Sequence, residues 1–333
     1  MRNRLGAALA GLLFLGSAAI GTGVLGTAGM AAAADYPERP ITVVVGFPPG
    51  GASDILARII TNKLSSLLGQ PVIVDNRPGA GGNVAGDVVA HATPDGYTLL
   101  LGNNAILATN VTLYSKIGFD PVKDFDPISL VGTQPNVLVV NDSLPVHSLA
   151  ELIALAKAEP GKLNFASSGF GLAAHLAGEL FKTMAHVDIV HVPYKGSAPA
   201  LEDVISGQDQ MMFATTSGAM GFIKNEQVRP LAVTTLKRSS ILPDVATIDE
   251  LGVKGFEATT WHGLVAPAGT PKTIIDTLHR AVVEAMKDPD VQKKLADLGV
   301  EIAPDTPDEF SAYIKSEIPK WAAVIKASGA KLD

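Results

Sequence analysis

A strand, a loop of glycine or small hydroxyl residues and an amphipathic helix recur along most of this chain. In the first such unit, the β-branched run Ile41–Val45 leads into the loop Phe47–Asp54, and the helix that follows carries apolar residues at spacings of three and four. Short β-branched runs bounded by proline or glycine suit strands that are buried on both faces. The alternation therefore predicts an α/β protein with parallel sheets covered by helices on both sides.

The length of 333 residues is enough for two domains of ordinary size. We expect strands near Ile128–Val131 and Val137–Val140 to carry the chain into a second domain, and the segment Phe256–Ala266 to return it. The predicted organisation is residues 35–135 with 257–333 in domain 1, and 136–256 in domain 2. Two doubly wound domains joined by two crossings would enclose a hinged cleft.

Several helix ends have local sequence signals. We predict Ser53 and Thr270 as N-terminal caps, and Gly69 as a left-handed end of the first helix. A capping box is predicted at Ser148–Glu151, and Thr306-Pro307-Asp308-Glu309 is predicted to start the last helix.

The N-terminus has the pattern of a secretory signal peptide. Arg2 and Arg4 precede an uncharged stretch from Leu5 to Ala34 that ends in three alanines. The stretch is also long enough for a retained membrane anchor, but its glycine and alanine content makes it weakly hydrophobic. We predict residues 1–34 as a signal peptide cleaved near Ala34, and a periplasmic mature protein.

Composition excludes several classes of function. The net charge is −7 and no basic cluster stands out, so no nucleic-acid partner is expected. Cysteine is absent, and the histidines have no metal-ligand spacing, so no metal site is predicted. A glycine pattern at 21–26 resembles a dinucleotide fingerprint but lies within the predicted signal peptide. No nucleophile motif is present, and Ser168 near His175 does not make a catalytic pair. We predict no catalytic residue and no cofactor.

Three loops have the features of an anion-binding site. The loops Phe47–Asp54, Ser167–Leu172 and Tyr194–Ala198 each follow a strand and lead into a helix, and Asn103 follows another strand. In α/β sheets, ligands bind at the carboxyl ends of strands, where helix N-termini present backbone N–H groups to anions. Each loop alone is better explained as a tight turn, and His175 as a capping or packing residue, but the three loops together with Asn103 favour a binding cleft. The candidate ligand-binding residues are Gly50, Gly51, Ala52, Asp54, Asn103, Ser167, Ser168, Gly169, His175, Tyr194, Lys195 and Gly196.

The same segments resemble the Bug family of extracytoplasmic receptors of tripartite tricarboxylate transporters. The similarity covers essentially everything after Tyr36, and the blocks that carry it are Tyr36-Pro37-Glu38-Arg39-Pro40-Ile41, Gly46-Phe47-Pro48-Pro49-Gly50-Gly51, Asp75-Asn76-Arg77-Pro78-Gly79-Ala80-Gly81-Gly82, Asn164-Phe165-Ala166-Ser167-Ser168-Gly169, His191-Val192-Pro193-Tyr194-Lys195-Gly196 and Pro267-Ala268-Gly269-Thr270-Pro271.

This resemblance implies a type II periplasmic-binding-protein-like fold that closes on a small carboxylate, with permease subunits in the membrane as partners. We expect a monomer. In the family, backbone groups and ordered waters hold the carboxylate, which implies that Gly51, Ala52 and Asp54 lie opposite Ser168, Gly169 and Lys195. The chain departs from the family pattern at Asn110–Tyr114 and at Leu172, so ligand specificity does not carry over. A secreted hydrolase or lyase using Asp54 or His175, and a sensor without transport, stay open as alternatives.

Overall fold

The computed structural model describes residues 36–332, and the predicted signal peptide lies outside the described residues. The strands of this range are β1 (Ile41–Val45), β2 (Val72–Asn76), β3 (Thr98–Asn103), β4 (Phe125–Gln134), β5 (Asn136–Asn141), β6 (Asn164–Ser167), β7 (Val190–Pro193), β8 (Met211–Thr215), β9 (Val228–Val233), β10 (Thr260–Pro267) and β11 (Glu301–Ile302). The helices are α1 (Ala52–Leu68), α2 (Asn83–Ala90), α3 (Asn110–Leu113), α4 (Leu149–Ala158), α5 (Ala173–Ala185), α6 (Ser197–Ser206), α7 (Thr216–Lys224), α8 (Lys272–Ala285), α9 (Pro289–Asp297) and α10 (Pro307–Ser328).

The strands form two sheets. The first has the order β11-β4-β10-β3-β1-β2 and the second the order β7-β6-β8-β5-β9. Each sheet and the helices packed on it form a lobe; the first lobe contains the first sheet and the second lobe contains the second. Pro135 alone separates β4 from β5, which lie in different sheets, and β10 returns the chain to the first sheet. The domain boundaries at 135–136 and 256–257 stay a prediction.

Both sheets are mixed, so the prediction of parallel sheets is wrong in part. β1 runs parallel to β2 and β3, and β6 runs parallel to β7 and β8. In contrast, β10 is antiparallel to β3 and β4, and β5 is antiparallel to β8 and β9. The antiparallel strands β4, β5 and β10 flank the two points where the chain crosses between sheets. β5 and β10 each enter their sheet from the other lobe and not from a covering helix.

The structure confirms two predicted helix ends and corrects three others. Gly69 ends α1 in the left-handed region with φ 68°, and Thr306 with Glu309 forms a full capping box. Ser53 does not cap α1, which begins one residue earlier behind Gly51. Thr270 does not cap α8, because the helix starts one residue later, behind Pro271. Ser148 caps α4, but Glu151 accepts from the amide of His147 and not from that of Ser148.

Helix α10 joins the two lobes. Its buried residues Ile314, Trp321 and Val324 belong to one apolar core with Leu100 of the first sheet and Phe165 of the second. Because hydrophobic burial scales with the apolar area removed from water, this shared core stabilises the contact between lobes as well as each lobe. A second core, under β1 and β3, and a third, under β5 and β8, belong to single lobes.

Candidate functional site

The first half of the candidate site lies where β1, β2 and β3 end. Since these strands are parallel, their carboxyl ends share one edge, which brings the residues after Val45, Asn76 and Leu101 together. The backbones there are in close contact, because a Cβ atom added to Gly46 would lie 2.7 Å from the Cα atom of Gly82. A side chain on Gly46 would prevent the two backbones from lying this close, so main-chain atoms line the edge.

Helix α1 begins at this edge without a side-chain cap. Its N-cap residue Gly51 is extended, with φ −77° and ψ 166°, and no side-chain hydrogen bond closes the first turn. The first N–H groups of a helix have no intrahelical partner, and the helix dipole favours an anion beside them. Within the segment Gly50–Ala52, which the sequence predicts as ligand-binding, the amides of Gly50 and Gly51 donate to Asp54 Oδ2 (2.9 Å) and Pro48 O (3.3 Å), so Ala52 presents the amide hydrogen at the sheet edge.

Asp54 fixes the conformation of this loop through hydrogen bonds. Its carboxylate accepts hydrogen bonds from the amide of Gly50 (2.9 Å), from Nε of Arg58 (3.0 Å) and from Nδ2 of Asn76 (3.0 Å). The hydrogen bond from Arg58 is the main cause that lowers the pKa of Asp54, against the opposing effect of burial. With three donors and only 2% of its surface exposed, Asp54 supports the loop, which favours a positioning role over contact with a ligand.

Asn103 and His262 complete this edge. Asn103 is buried, and its Oδ1 accepts the amide hydrogen of Ile106 at 3.1 Å, which starts the helical turn Ala105–Thr109. His262 lies opposite Asn103 in the register of β3 and β10, and its Nε2 is 3.0 Å from Oγ of Ser53. Burial lowers the pKa of His262 to about 4, so the ring is neutral at pH 7. His262 was not among the predicted site residues, because its partner Ser53 is distant in the chain.

The second half of the candidate site lies where β6, β7 and β8 end. Two loops join there by backbone hydrogen bonds, from the amide of Tyr194 to Ser167 O (3.0 Å) and from the amide of Gly196 to Ser168 O (3.1 Å). Gly169 has φ 150° and Gly196 has φ 126°, which are conformations that favour glycine. The buried Ser167 accepts the amide hydrogen of Gly169 at Oγ (3.2 Å).

Helices α5 and α6 begin at this edge, and neither has a side-chain cap. In contrast, α4, α9 and α10 begin elsewhere and are capped by Ser148, Asp288 and Thr306. Helix α8 lacks a cap too, but it starts directly behind a proline at the opposite edge of the first sheet. Uncapped helix starts therefore occur at the carboxyl edges of both sheets.

Three predicted residues of the second lobe have different surroundings. Lys195 is exposed and forms no ion pair within residues 36–332. The hydroxyl of Tyr194 is engaged by the carboxylates of Asp203 (2.6 Å) and Asp209 (2.7 Å). His175 is 1% exposed and accepts the amide hydrogen of Gly171 at Nδ1. Lys195 is thus accessible to a ligand, while Tyr194 and His175 support the loops.

A chain of contacts connects the two halves. A Cβ atom added to Gly81 would lie 2.9 Å from Oη of Tyr114, and one added to Gly171 would lie 3.0 Å from Leu332 and 3.3 Å from Leu113. The amide of Leu332 donates to Leu113 O at 2.8 Å. The loops of the second lobe therefore contact the first lobe beside its glycine-rich edge.

A third helix start at the second edge was missed. Helix α7 begins at Thr216, directly after β8, and has no side-chain cap. A Cβ atom added to Gly299 of the first lobe would lie 3.0 Å from Cβ of Ser217, so this start also meets the other lobe. The run Thr215-Thr216-Ser217-Gly218 has the hydroxyl and glycine content that identified the other loops, so the signal was present in the sequence.

Other features of the described chain lie apart from these edges. A recess of about 350 Å³ lies at the opposite edge of the first sheet, beside Asp126 and Lys272. Among residues 36–332, no group of three or more histidine or acidic side chains is arranged to hold a metal ion. No helix in that range combines the length and apolar character needed to cross a bilayer.

Two mixed α/β sheets with loops meeting at their carboxyl edges define a two-domain solute-binding fold, and solved structures agree. A protein of R. palustris solved with adipate is 40% identical, with a TM-score of 0.74, and the match covers 90% of this chain and 100% of that one. MatC of Rhodopseudomonas palustris, solved with bound malate, is 34% identical over 87% of this chain and 100% of its own, with a TM-score of 0.70.

Sequence comparison establishes the family. The model for the tripartite tricarboxylate transporter family receptor matches residues 56–330, and BugT of Bordetella pertussis is 41% identical over 312 residues, which are 92% of this chain and 96% of that protein. The chain belongs to the tripartite tricarboxylate transporter receptor family. Its relatives are solute-binding receptors, which confirms the predicted Bug-type membership and fold class.

Proposed function

We propose that this protein is a periplasmic receptor that binds a small carboxylate between its two lobes and delivers it to permease subunits in the membrane. The observation that carries the proposal is the set of uncapped helix starts, at α1 on one sheet edge and at α5, α6 and α7 on the other. Adipate and malate in the two solved relatives give the chemical class of the ligand.

Backbone amides are expected to carry most of the affinity. The net charge of −7 gives no long-range attraction for an anion, so capture depends on local dipoles. Micromolar binding requires about −8 kcal/mol. Hydrogen bonds to a charged group contribute roughly 1.5–3 kcal/mol each, so four to six amide contacts are enough after the entropy of lobe closure is subtracted. We propose the amides of Ala52, Ser168 and Ala173 and the ammonium of Lys195 as donors to the ligand. Gly51 and Gly169, whose amides donate to Pro48 O and to Oγ of Ser167, would lie against it.

The ligand class is tested by a thermal-shift screen of small carboxylates on refolded, ligand-stripped protein. A ligand that binds only the folded state raises the melting temperature by mass action. We expect one or more C4–C6 dicarboxylates to raise it and isothermal titration to give one site per chain. A flat response across mono-, di- and tricarboxylates would contradict the proposal.

The site is tested by removing single amide hydrogens. Proline is tolerated at the first helical position, and the extended Gly51 and Leu172 are suited to precede it. Ala52→Pro and Ala173→Pro should each weaken binding at least about tenfold, because each deletes one donor to an anion. Lys272→Pro, at the first position of α8, is the matched control and should leave affinity unchanged.

We propose that the protein is not an enzyme and that closure of its lobes is the signal for the permease. NMR of the bound acid should show stoichiometric binding and no product, whereas turnover lost in Asp54→Ala or His175→Ala would support a hydrolase or lyase. Small-angle scattering should show compaction at saturating ligand. An uptake assay separates transport from sensing, since a sensor would bind the acid without restoring uptake in cells that lack the receptor.

The N-terminal segment determines where the mature protein is located. We propose that residues 1–34 are removed on export, in line with the periplasmic location of receptors in this family. Mass spectrometry of protein extracted from the periplasm should give a chain that starts at Asp35. A periplasm-facing chain that keeps Arg2 and Arg4 would identify the segment as a membrane anchor.

A further inference from the structure

The loop Ser167–Gly171 of the second lobe lies on a stack of aromatic rings. The imidazoles of His175 (α5) and His191 (β7) are stacked, with ring centroids 3.9 Å apart. Phe170 covers the outer side of His175 at 4.6 Å, and Phe165 stacks on His191 at 4.9 Å. Two imidazoles in face-to-face contact repel each other if both are charged, so this arrangement favours neutral rings.

Each imidazole holds a different end of the loop through one ring nitrogen. Nε2 of His191 lies 2.7 Å from Oγ of Ser167, and Nδ1 of His175 lies 3.0 Å from the amide nitrogen of Gly171. A backbone N–H can only donate, so Nδ1 of His175 must be the unprotonated nitrogen. His175 is therefore neutral, with its proton on Nε2.

Ser167 transmits the contact with His191 to the centre of the loop. Its Oγ accepts the amide hydrogen of Gly169 at 3.2 Å and lies 3.1 Å from Gly169 O. The orientation of both peptide groups of Gly169 therefore depends on the serine hydroxyl, and through it on His191. Both peptide groups lie in the loop that the proposed function places against the anion.

Burial keeps both rings neutral. It is the main cause that lowers the pKa of His175 to about 3 and that of His191 to about 4. The charge of Lys182 acts in the same direction on both, and His191 acts on His175. Glu179 is the remaining charged group of the described chain near the pair, with Oε1 3.9 Å from Nε2 of His175, and burial raises its own pKa.

We propose that His175 and His191 are positioning residues for ligand binding, which hold the Ser167–Gly171 amides in the orientation an anion needs and release them on protonation. The proposal rests on the proposed function, because it requires that this loop contacts the carboxylate. It changes the role of His175 from the predicted ligand contact to a support beneath the loop, and it adds His191.

Paired variants separate the effect of losing each hydrogen bond from the effect of losing the volume of the imidazole ring. In His175→Asn, Oδ1 can take the place of Nδ1 as acceptor for Gly171, and in His191→Gln the side-chain amide can take the place of Nε2. With adipate and malate as probes, His175→Ala and His191→Ala should each bind about tenfold more weakly, whereas the Asn and Gln variants should stay within about threefold of wild type. Equal losses in the Ala and the amide variants would overturn the proposal.

The pH profile is a second readout that a purely structural role would not change. The ligand itself takes up protons near pH 4, so the informative quantity is the ratio of wild-type affinity to that of the double variant H175N/H191Q, which lacks both imidazoles. We expect this ratio to be constant from pH 8 to pH 6 and to fall about twofold by pH 4. Parallel profiles would contradict release on protonation.

Two further results keep the inference distinct from the proposed function. If Ala52→Pro and Ala173→Pro leave affinity unchanged, the proposed site itself is wrong. If they weaken binding but His175→Ala and His191→Ala do not, only the positioning role is wrong. Nitrogen NMR of the ligand-free protein gives an independent test, with His175 protonated at Nε2 at pH 7. Protonation at Nδ1, or titration of His175 above pH 6, would overturn the assignment.

Discussion

Ser53 Oγ lies 3.0 Å from His262 Nε2, a hydrogen bond that joins the first turn of α1 to β10 across 209 residues of sequence. Both side chains are buried, and within residues 36–332 the Nδ1 atom of His262 has no hydrogen-bond partner. Among the residues that the structure describes, the serine is thus the one group that forms a hydrogen bond with this ring. The contact fixes the start of α1 to the strand that returns from the second lobe.

Ser53→Ala should lower the free energy of unfolding by about 1–3 kcal/mol, because it leaves a buried imidazole without a protein partner. Urea denaturation measures the change. Ser66→Ala, on the exposed side of the same helix, should change stability by less than about 0.5 kcal/mol. Equal effects of the two substitutions would show that the Ser53–His262 contact is not stabilising.

Asp54→Ala should both destabilise the fold and weaken ligand binding. Three hydrogen bonds to a buried carboxylate are lost, although the half-exposed Arg58 regains water, so we expect a loss of about 2–3 kcal/mol. Asp276→Ala removes a comparable helical ion pair with Lys272 on the surface and should cost about 0.5 kcal/mol or less. An Asp54 variant with wild-type affinity would contradict its support of the Gly50–Ala52 loop.

Glu317→Ala should be the most destabilising of these substitutions. The buried carboxylate accepts indole hydrogens from Trp261 (3.1 Å) and Trp321 (2.8 Å) and pairs with Lys320. Two unsatisfied indoles predict a loss of about 2–5 kcal/mol by urea denaturation. Glu317→Gln keeps an acceptor and should lose less, and the exposed Glu284→Ala should change little. A small loss of stability in Glu317→Ala would show that this contact does not link α10 to β10.

Stability should fall as the pH is lowered from about 6.5 towards 4. The pKa values of His175 and His262 are lowered in the folded state, to about 3 and about 4, so below pH 6.5 the unfolded chain binds more protons than the folded one. Each group then removes up to about 1.4 kcal/mol per pH unit. Asp305 opposes this below pH 6, because burial raises its pKa to about 6.

The histidine contribution is measured by comparing urea unfolding of wild type and H175N/H191Q at pH 7 and pH 5. We expect the variant to have the smaller loss of stability on acidification. A loss of the same size in both proteins would show that these imidazoles are already charged in the folded state.

Local signals predicted the parts of the fold that depend on local contacts. The start of α10 behind Thr306 depends on contacts within four residues, and Gly69 ends α1 through its own backbone freedom, so the sequence predicted both helix ends. Ser53 has the residue type of a cap but is bonded to a strand far along the chain. The antiparallel placement of β10 is equally non-local, since it depends on where the chain re-enters the first sheet.

The same division applies to the candidate site. The glycine-rich loops were predicted because they combine a strand end, small residues and a helix start. The support beneath them was not, because His191 and Asn76 act through pairings across 24 and 22 residues that no spacing rule reports. The start of α7 carried the same hydroxyl and glycine signal as the other loops and was overlooked.

The central claim is that main-chain amides at facing helix starts hold the ligand's carboxylate. A crystal structure with the acid that gives the largest thermal shift tests it most directly. We predict carboxylate oxygens within about 3 Å of the amide nitrogens of Ala52 and Ser168. An acid bound away from both loops, or held by side chains alone, would contradict the account.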